Sequence, residues 1–158
     1  MSDFGAFLKQ NRPAQKNEFM EVCADIKDQN GKVIPWELRH LTPGEISKMK
    51  SICYKIKKKG KDIQFDGDLY NRLITSRAVV FPDLKNQELV DSYMEQYAFT
   101  DRTPENLITL IIRNNREFEA LLLKVCEMNG LIPDATKKED EDGDDDGDTT
   151  PEIETAKN

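Results

Sequence analysis

Residues 68–81, DLYNRLITSRAVVF, put apolar side chains on more than one side of any helix they form: Leu69, Tyr70, Leu73, Ile74, Ala78, Val79, Val80 and Phe81. A helix apolar over more than one stripe has to be enclosed by neighbours rather than laid on a surface. Pro82 then ends it, because the residue before a proline is driven toward extended geometry and the ring cannot continue a helix. A second amphipathic helix follows within a few residues, with Leu89, Val90, Tyr93, Met94 and Tyr97 at helical spacing. The rest of the chain must supply elements to wrap this pair. Nothing in the stretch is catalytic chemistry.

Those elements carry their own start and stop signals. Thr42-Pro43-Gly44-Glu45 has a capping threonine, a proline in the first turn and a glutamate three residues after the cap. Ile46, Met49, Ile52 or Cys53, and Ile56 follow at helical spacing, and Gly60 offers a left-handed stop. Lys55, Lys57, Lys58 and Lys59 load the last turn, where cations suit the negative end of the helix dipole. A further start at Thr103-Pro104-Glu105 leads into Leu107, Ile108, Leu110, Ile111 and Ile112. Asn114, with Glu117 three residues on, opens a last helix bearing Phe118, Leu121, Leu122 and Val125 and ending at Asn129-Gly130. The pattern predicts helices over about 43–59, 68–81, 86–97, 104–112 and 115–129.

A hairpin is predicted over 19–41. Met20, Val22, Ala24 and Ile26 alternate with polar residues, as do Ile34, Trp36, Leu38 and His40. A three-residue loop, Gln29-Asn30-Gly31, aligns Ile26 with Ile34, Ala24 with Trp36 and Val22 with Leu38, and it takes a left-handed residue where Gly31 sits. Pro35 lacks a backbone donor, which predicts a sheet edge on that side. An isolated two-stranded ribbon is barely stable, so the hairpin is expected to lie on the helices.

The expected fold class is therefore α+β, mainly α: about five helices packed with one N-terminal β-hairpin, then a disordered acidic C-terminal tail. Residues 1–16 read as a short helix (Phe4, Phe7 and Leu8 on one face) and a linker, 17–130 as the folded domain, and 131–158 as the tail. The net charge of -7 is uneven. Residues 1–130 hold 20 Lys/Arg against 19 Asp/Glu, whereas 131–158 hold 3 against 11. A segment with so few apolar groups cannot offset the entropy of ordering it.

Cys23, Cys53 and Cys126 are odd in number and widely spaced among apolar residues, the pattern of reduced thiols acting as small hydrophobes in a cytosolic protein. No run reaches the ~18 apolar residues of a membrane span, and the N-terminus lacks the apolar core of a secretory signal. The chain is expected to stay where it is made.

Candidate chemistry is sparse. Asp142-x-Asp144-x-Asp146-Gly147 opens like a calcium-binding loop, but the twelfth position, which needs a bidentate carboxylate, is Ile153. A solvated acidic tail accounts for it better. The lysine run at 55–61 has no stacking aromatics or wider basic face beside it, which argues for a favourable helix terminus over nucleic-acid binding. His40, the only histidine, has no catalytic companion and reads as structural. Carboxylates are not paired inside apolar segments, and there is no glycine-rich phosphate loop, Gly143 and Gly147 lying in the acidic tail. No enzyme activity, cofactor or metal is expected.

What stands out is an apolar surplus at 107–112 and 121–123. In a chain this small it is either core or a surface that buries itself only on a partner helix or a second copy. On the second reading Leu107, Leu110, Ile111, Phe118, Leu121, Leu122 and Val125 are the partner-binding residues.

The order of features resembles the XkdN-like tail assembly chaperones of contractile-tailed phages and prophages of Gram-positive bacteria. The matching stretches are FLKQN at 7–11, DxNGK at 28–32, PWELR at 35–39, a capped helix containing Cys53, AVVFPDLKNQELVDSYM at 78–94, EFEALLLKVCEMNG at 117–130 and the closing AKN. The chain differs in having Asn115-Arg116 where the family often has Pro-Gly, and in the acidic insert at 134–151. The resemblance implies a non-enzymatic assembly factor that binds the tape measure protein, keeps it soluble and helps tail tube subunits polymerise around it. It also implies action in the bacterial host cytoplasm and absence from the mature virion. Two other roles compatible with the residues are a structural tail, baseplate or tail-completion protein, and a small nucleic-acid-binding regulator.

Overall fold

The computed structural model describes residues 3–56, 62–95 and 101–131. Lys57 to Lys61 with the expected stop at Gly60, Tyr97, and the tail from 132 with its calcium-like motif lie outside the described residues.

Within them are five α-helices: α1 (Pro43–Ile52), α2 (Gly67–Ala78), α3 (Gln87–Met94), α4 (Pro104–Ile111) and α5 (Asn115–Met128). Strands β1 (Glu18–Met20), β2 (Trp36–Leu38) and β5 (Val79–Phe81) form an antiparallel sheet in the order β1-β2-β5, and β3 (Tyr54–Ile56) pairs with β4 (Ile63–Phe65) in a separate ribbon. The fold is α+β and mainly helical, with two small sheets where one hairpin was expected.

α2 is the centre. It packs on α1, α4 and α5, and Leu73, Ile74 and Ala78 are buried. So are Thr75 and Ser76, whose hydroxyls donate to the carbonyls of Asn71 (2.6 Å) and Leu73 (3.1 Å) one turn back. That local bond is what lets two polar side chains sit in an apolar interior. Asp66 caps the helix, its Oδ1 accepting from the Leu69 N–H at 3.0 Å.

The helix ends three residues sooner than the apolar pattern predicts. Val79–Phe81 pairs with β2, and the Arg39 N–H donates to the Ala78 carbonyl at 2.8 Å. β-Branched and aromatic residues fit a pleated surface well, and Pro82 prevents any continuation of the helix. Val80 and Phe81, expected in the core, are consequently exposed.

α1 is also shorter than the predicted 43–59. Thr42 caps it as expected, accepting from the Glu45 N–H at 3.1 Å, but the helix stops at Ile52. The Cys53 carbonyl accepts from the Asp66 N–H at 2.8 Å, and the next three residues enter the β3–β4 ribbon. Tyr54, Lys55 and Ile56 alternate apolar and polar, which serves a strand as well as a helix turn; the partner strand decides.

The hairpin keeps its expected tip. Gly31 has φ 80°, the Gly31 N–H donates to Asp28 O, and Lys27 bridges Val33. Below the tip the register shifts. Met20 rather than Ala24 faces Trp36, and Glu18 rather than Val22 faces Leu38. The chain at 21–25 leaves the ladder opposite Pro35, which has no N–H to offer, and this detour drops both Val22 and Cys23 into the core. Consecutive residues of a regular strand point to opposite faces and could not both be buried on one side. β2 is the central strand, not an edge; Pro35 lies one residue before it.

α5 closes the domain. Its first turn differs from a capping box: Asn114 Oδ1 accepts from the Arg116 N–H at 2.9 Å, while Glu117 turns away to accept from the Ala24 N–H at 3.0 Å. Its last turn ends in a Schellman arrangement, with Gly130 at φ 65° and the Leu131 N–H donating to Cys126 O at 2.8 Å. Asn129 Oδ1 also accepts from the Leu41 N–H at 2.7 Å, tying the helix end to the chain leaving β2.

Candidate interaction surface

Seven apolar residues of α4 and α5 are the sequence-based candidates for partner contact. Leu107, Ile111, Leu121 and Val125 are buried in this chain's own core, together with Ile108 and Ile112. Leu110, Phe118 and Leu122 are half-buried and pack against that core. The two helices are apolar around much of their circumference because α2 packs on both and α3 packs on α4. They do not converge on an open surface.

Open apolar surface lies instead on the β3–β4 ribbon. Tyr54 pairs with Phe65 and Ile56 with Ile63, so these four share one face, while Lys55 and Gln64 form the other. Every residue of both strands is exposed, Ile56 at 74% and Ile63 at 71%. The proximal pair is anchored: the Tyr54 and Phe65 rings lie 5.1 Å apart, and Phe65 in turn lies 5.6 Å from Tyr70 of α2. The distal pair, Ile56 and Ile63, is uncovered. Ile52, also exposed, ends α1 just before the ribbon.

Asp66 fastens this ribbon to the helix layer. Its Oδ2 accepts from Lys55 Nζ at 2.9 Å while its Oδ1 caps α2. The Lys55 ammonium first, and then the Leu69 N–H, hold its carboxyl below the usual aspartate range. A depressed carboxylate pKa contributes stability above the unfolded-state pKa and loses it as pH falls through the folded one. The ribbon's attachment is therefore expected to loosen only below pH ~4. Hydrogen exchange at the Leu69 amide checks this: protection should hold down to about pH 4 and fall below it, and Asp66→Asn should flatten that dependence.

A second exposed apolar row crosses the three-stranded sheet. Phe19 pairs with Glu37, which pairs with Phe81, so the two rings flank one carboxylate on the outer face, with Trp36 and Leu38 buried beneath. Glu37 Oε2 accepts from Asn17 Nδ2 at 3.0 Å. The N-terminal residues form two 3-10 turns, Asp3–Phe7 and Lys9–Asn11, with Phe4 and Phe7 exposed and the segment held by its own bond from Asn11 Nδ2 to Gly5 O.

His40 lies where β1, β2 and α5 meet. Its Nε2 is 3.7 Å from Glu18 Oε2, and Glu18 Oε1 accepts from Lys124 Nζ at 2.7 Å. The Lys124 hydrogen bond lowers the Glu18 pKa. The three cysteines are buried, and among the described residues none forms a disulfide. Burial first, then Glu117 and Asp25, push the Cys23 thiol up to about 11; burial and then Asp66 raise Cys53. Such thiols stay protonated and unreactive. A shallow cavity of about 300 Å³ beside the 21–25 detour is mostly aliphatic, and its Glu117 is engaged by the Ala24 N–H. Among the described residues no helix is long and apolar enough to cross a membrane.

The ribbon was missed in the sequence because its strands lie on either side of a lysine run that reads as a helix terminus. The available signal was the alternation in Tyr54-Lys55-Ile56 and Ile63-Gln64-Phe65, three residues each.

No curated protein matches the chain at a significant level. Among solved structures, the crystal structure of the protein YqbN is similar, with a TM-score of 0.66 at 18% identity, over 84% of this chain and 99% of that one. At that identity the likeness concerns the fold. The profile of the phage XkdN-like tail assembly chaperone proteins matches residues 4–143. That match spans the hairpin, all five helices and both sheets, and the chain belongs to the XkdN-like family of phage tail assembly chaperones.

Proposed function

We propose that this chain is a non-enzymatic chaperone that binds the tape measure protein, keeps it soluble in the bacterial host cytoplasm and assists polymerisation of the tail tube, without remaining in the finished virion. Family membership supports a role in tail assembly together with other tail proteins. The observation that carries the finer reading is the uncovered apolar face of the β3–β4 ribbon, on a domain whose remaining large apolar residues mostly serve its own core.

The family resemblance implies a tape measure protein that is long, helical and apolar, so an apolar stripe on it needs cover until tube subunits polymerise around it. A narrow ribbon with one apolar face can lie along such a stripe, with Ile56 and Ile63 as anchors and the Tyr54–Phe65 pair as a rigid base. Its contact is small, and small contacts release readily. That suits a factor displaced as tube subunits add.

Co-expression with the tape measure protein tests the reading. The full chain is expected to shift that protein from the pellet to the soluble fraction and to co-purify with it. A tape measure protein that stays insoluble would sink the proposal.

A further inference from the structure

The uncovered pair Ile56–Ile63 sits in the most basic part of the chain: residues 48–61 contain seven lysines and no acidic residue. Lys55, the described lysine on the ribbon, extends from its polar face toward Asp66. This charge decides what can cover the apolar face. A second copy brings an equally basic ribbon against it, and like charges brought together across an interface are unfavourable. The occupant should be anionic with a small apolar element.

One such segment belongs to the chain itself, outside the described residues. Residues 139–148 hold eight carboxylates and no cation, and Ile153 follows between Glu152 and Glu154. Reach is not limiting. The folded part has an expected radius of gyration of about 14 Å, and the stretch from 132 to 153 extends to roughly 70 Å. Tethering supplies an effective concentration of about 1 mM, which half-occupies even a millimolar contact.

We propose that the apolar face of the β3–β4 ribbon is a docking surface for the chain's own segment 139–154, drawn in by charge and covering the Ile56–Ile63 pair with Ile153. Docking masks the ribbon while the protein is unoccupied and yields to a longer apolar partner. The yielding rests on the function proposed above; the docking does not. Exposed charges are screened over about 8 Å at physiological ionic strength, so the contact is weak and salt-sensitive, as a displaceable cover must be.

The test uses the full chain with a nitroxide on Thr149→Cys. The native cysteines are buried and leave the new thiol as the reactive one. At low salt the amide signals of Lys55, Ile56, Ile63 and Gln64 are expected to lose most of their intensity, because a tethered millimolar contact is occupied about half the time and paramagnetic broadening near the nitroxide is strong at that occupancy. Signals at the hairpin tip, Asp28 and Lys32, should keep theirs. The loss should vanish when the eight carboxylates of 139–148 are converted to amides in the full chain, and it should shrink with Ile153→Ser. Undiminished ribbon signals, or broadening spread evenly over the surface, would overturn the proposal. So would equal broadening of an unlabelled isotopic copy mixed with the spin-labelled one, which assigns the contact to another molecule. No tape measure protein is present, so this result stands or falls separately from the co-expression result.

Discussion

Leu121→Ala is expected to destabilise the protein by about 2–5 kcal/mol. Leu121 is fully buried, on the face of α5 that packs against α2. Removing its side chain forfeits transfer free energy and leaves a cavity in a core whose members, Leu107, Ile108 and Val125 among them, are themselves almost fully enclosed and have little freedom to collapse into it. A domain of this size is stable by only about 5–15 kcal/mol, so the loss is a large share of the total. Urea unfolding followed by the fluorescence of Trp36, the buried single tryptophan, measures it. A midpoint indistinguishable from the parent would place Leu121 outside the core and restore α5 as an open contact surface.

Ile56→Ser with Ile63→Ser should behave in the opposite way. Both side chains face solvent, so the double variant should lose no more than about 2 kcal/mol, the span of strand propensity at two positions. Its effect falls on the partner. Fully burying an isoleucine contributes about 1.5–3 kcal/mol, so two lost anchors weaken the complex by two to four orders of magnitude, with tenfold for every 1.4 kcal/mol. Co-expressed tape measure protein should return to the pellet while the variant itself stays folded and soluble. Undiminished rescue by the folded variant would move the contact away from the ribbon. Together the two substitutions separate residues that hold the chaperone together from residues that meet its partner.

The separation is instructive because the most apolar runs of the chain and its exposed apolar ribbon lie in different places. Leu107 to Ile112 and Leu121 to Leu123 are the most apolar runs in the chain, and they are the natural place to look for a sticky surface. They are apolar all round because α2, itself enclosed, must be matched on several sides. The ribbon's exposed apolar face is made of short alternating pieces, Tyr54 with Ile56 and Ile63 with Phe65, interrupted by lysine and glutamine. A face built from two strands distant by a connection is invisible to a window that slides along one of them.

The sequence by itself determined the features that depend on nearest neighbours. Helix starts at Thr42, Asn86 and Asn114 each show a side chain accepting from an N–H two or three residues on. Gly31 and Gly130 take the positive φ their turns need, and residues 68–78 form the enclosed helix their apolar pattern demands. These are choices settled within one or two turns of chain. Only the tertiary structure decided the conformation of Tyr54–Ile56 and Val79–Phe81, which tolerate helix or strand and become strands because Ile63–Phe65 and Trp36–Leu38 offer them ladders. It likewise decided the hairpin register below its tip, where burying both Val22 and Cys23 outweighed regular pairing. Strand pairing is a long-range contact, and burial is a property of the whole core, so neither is written in the residues that undergo it.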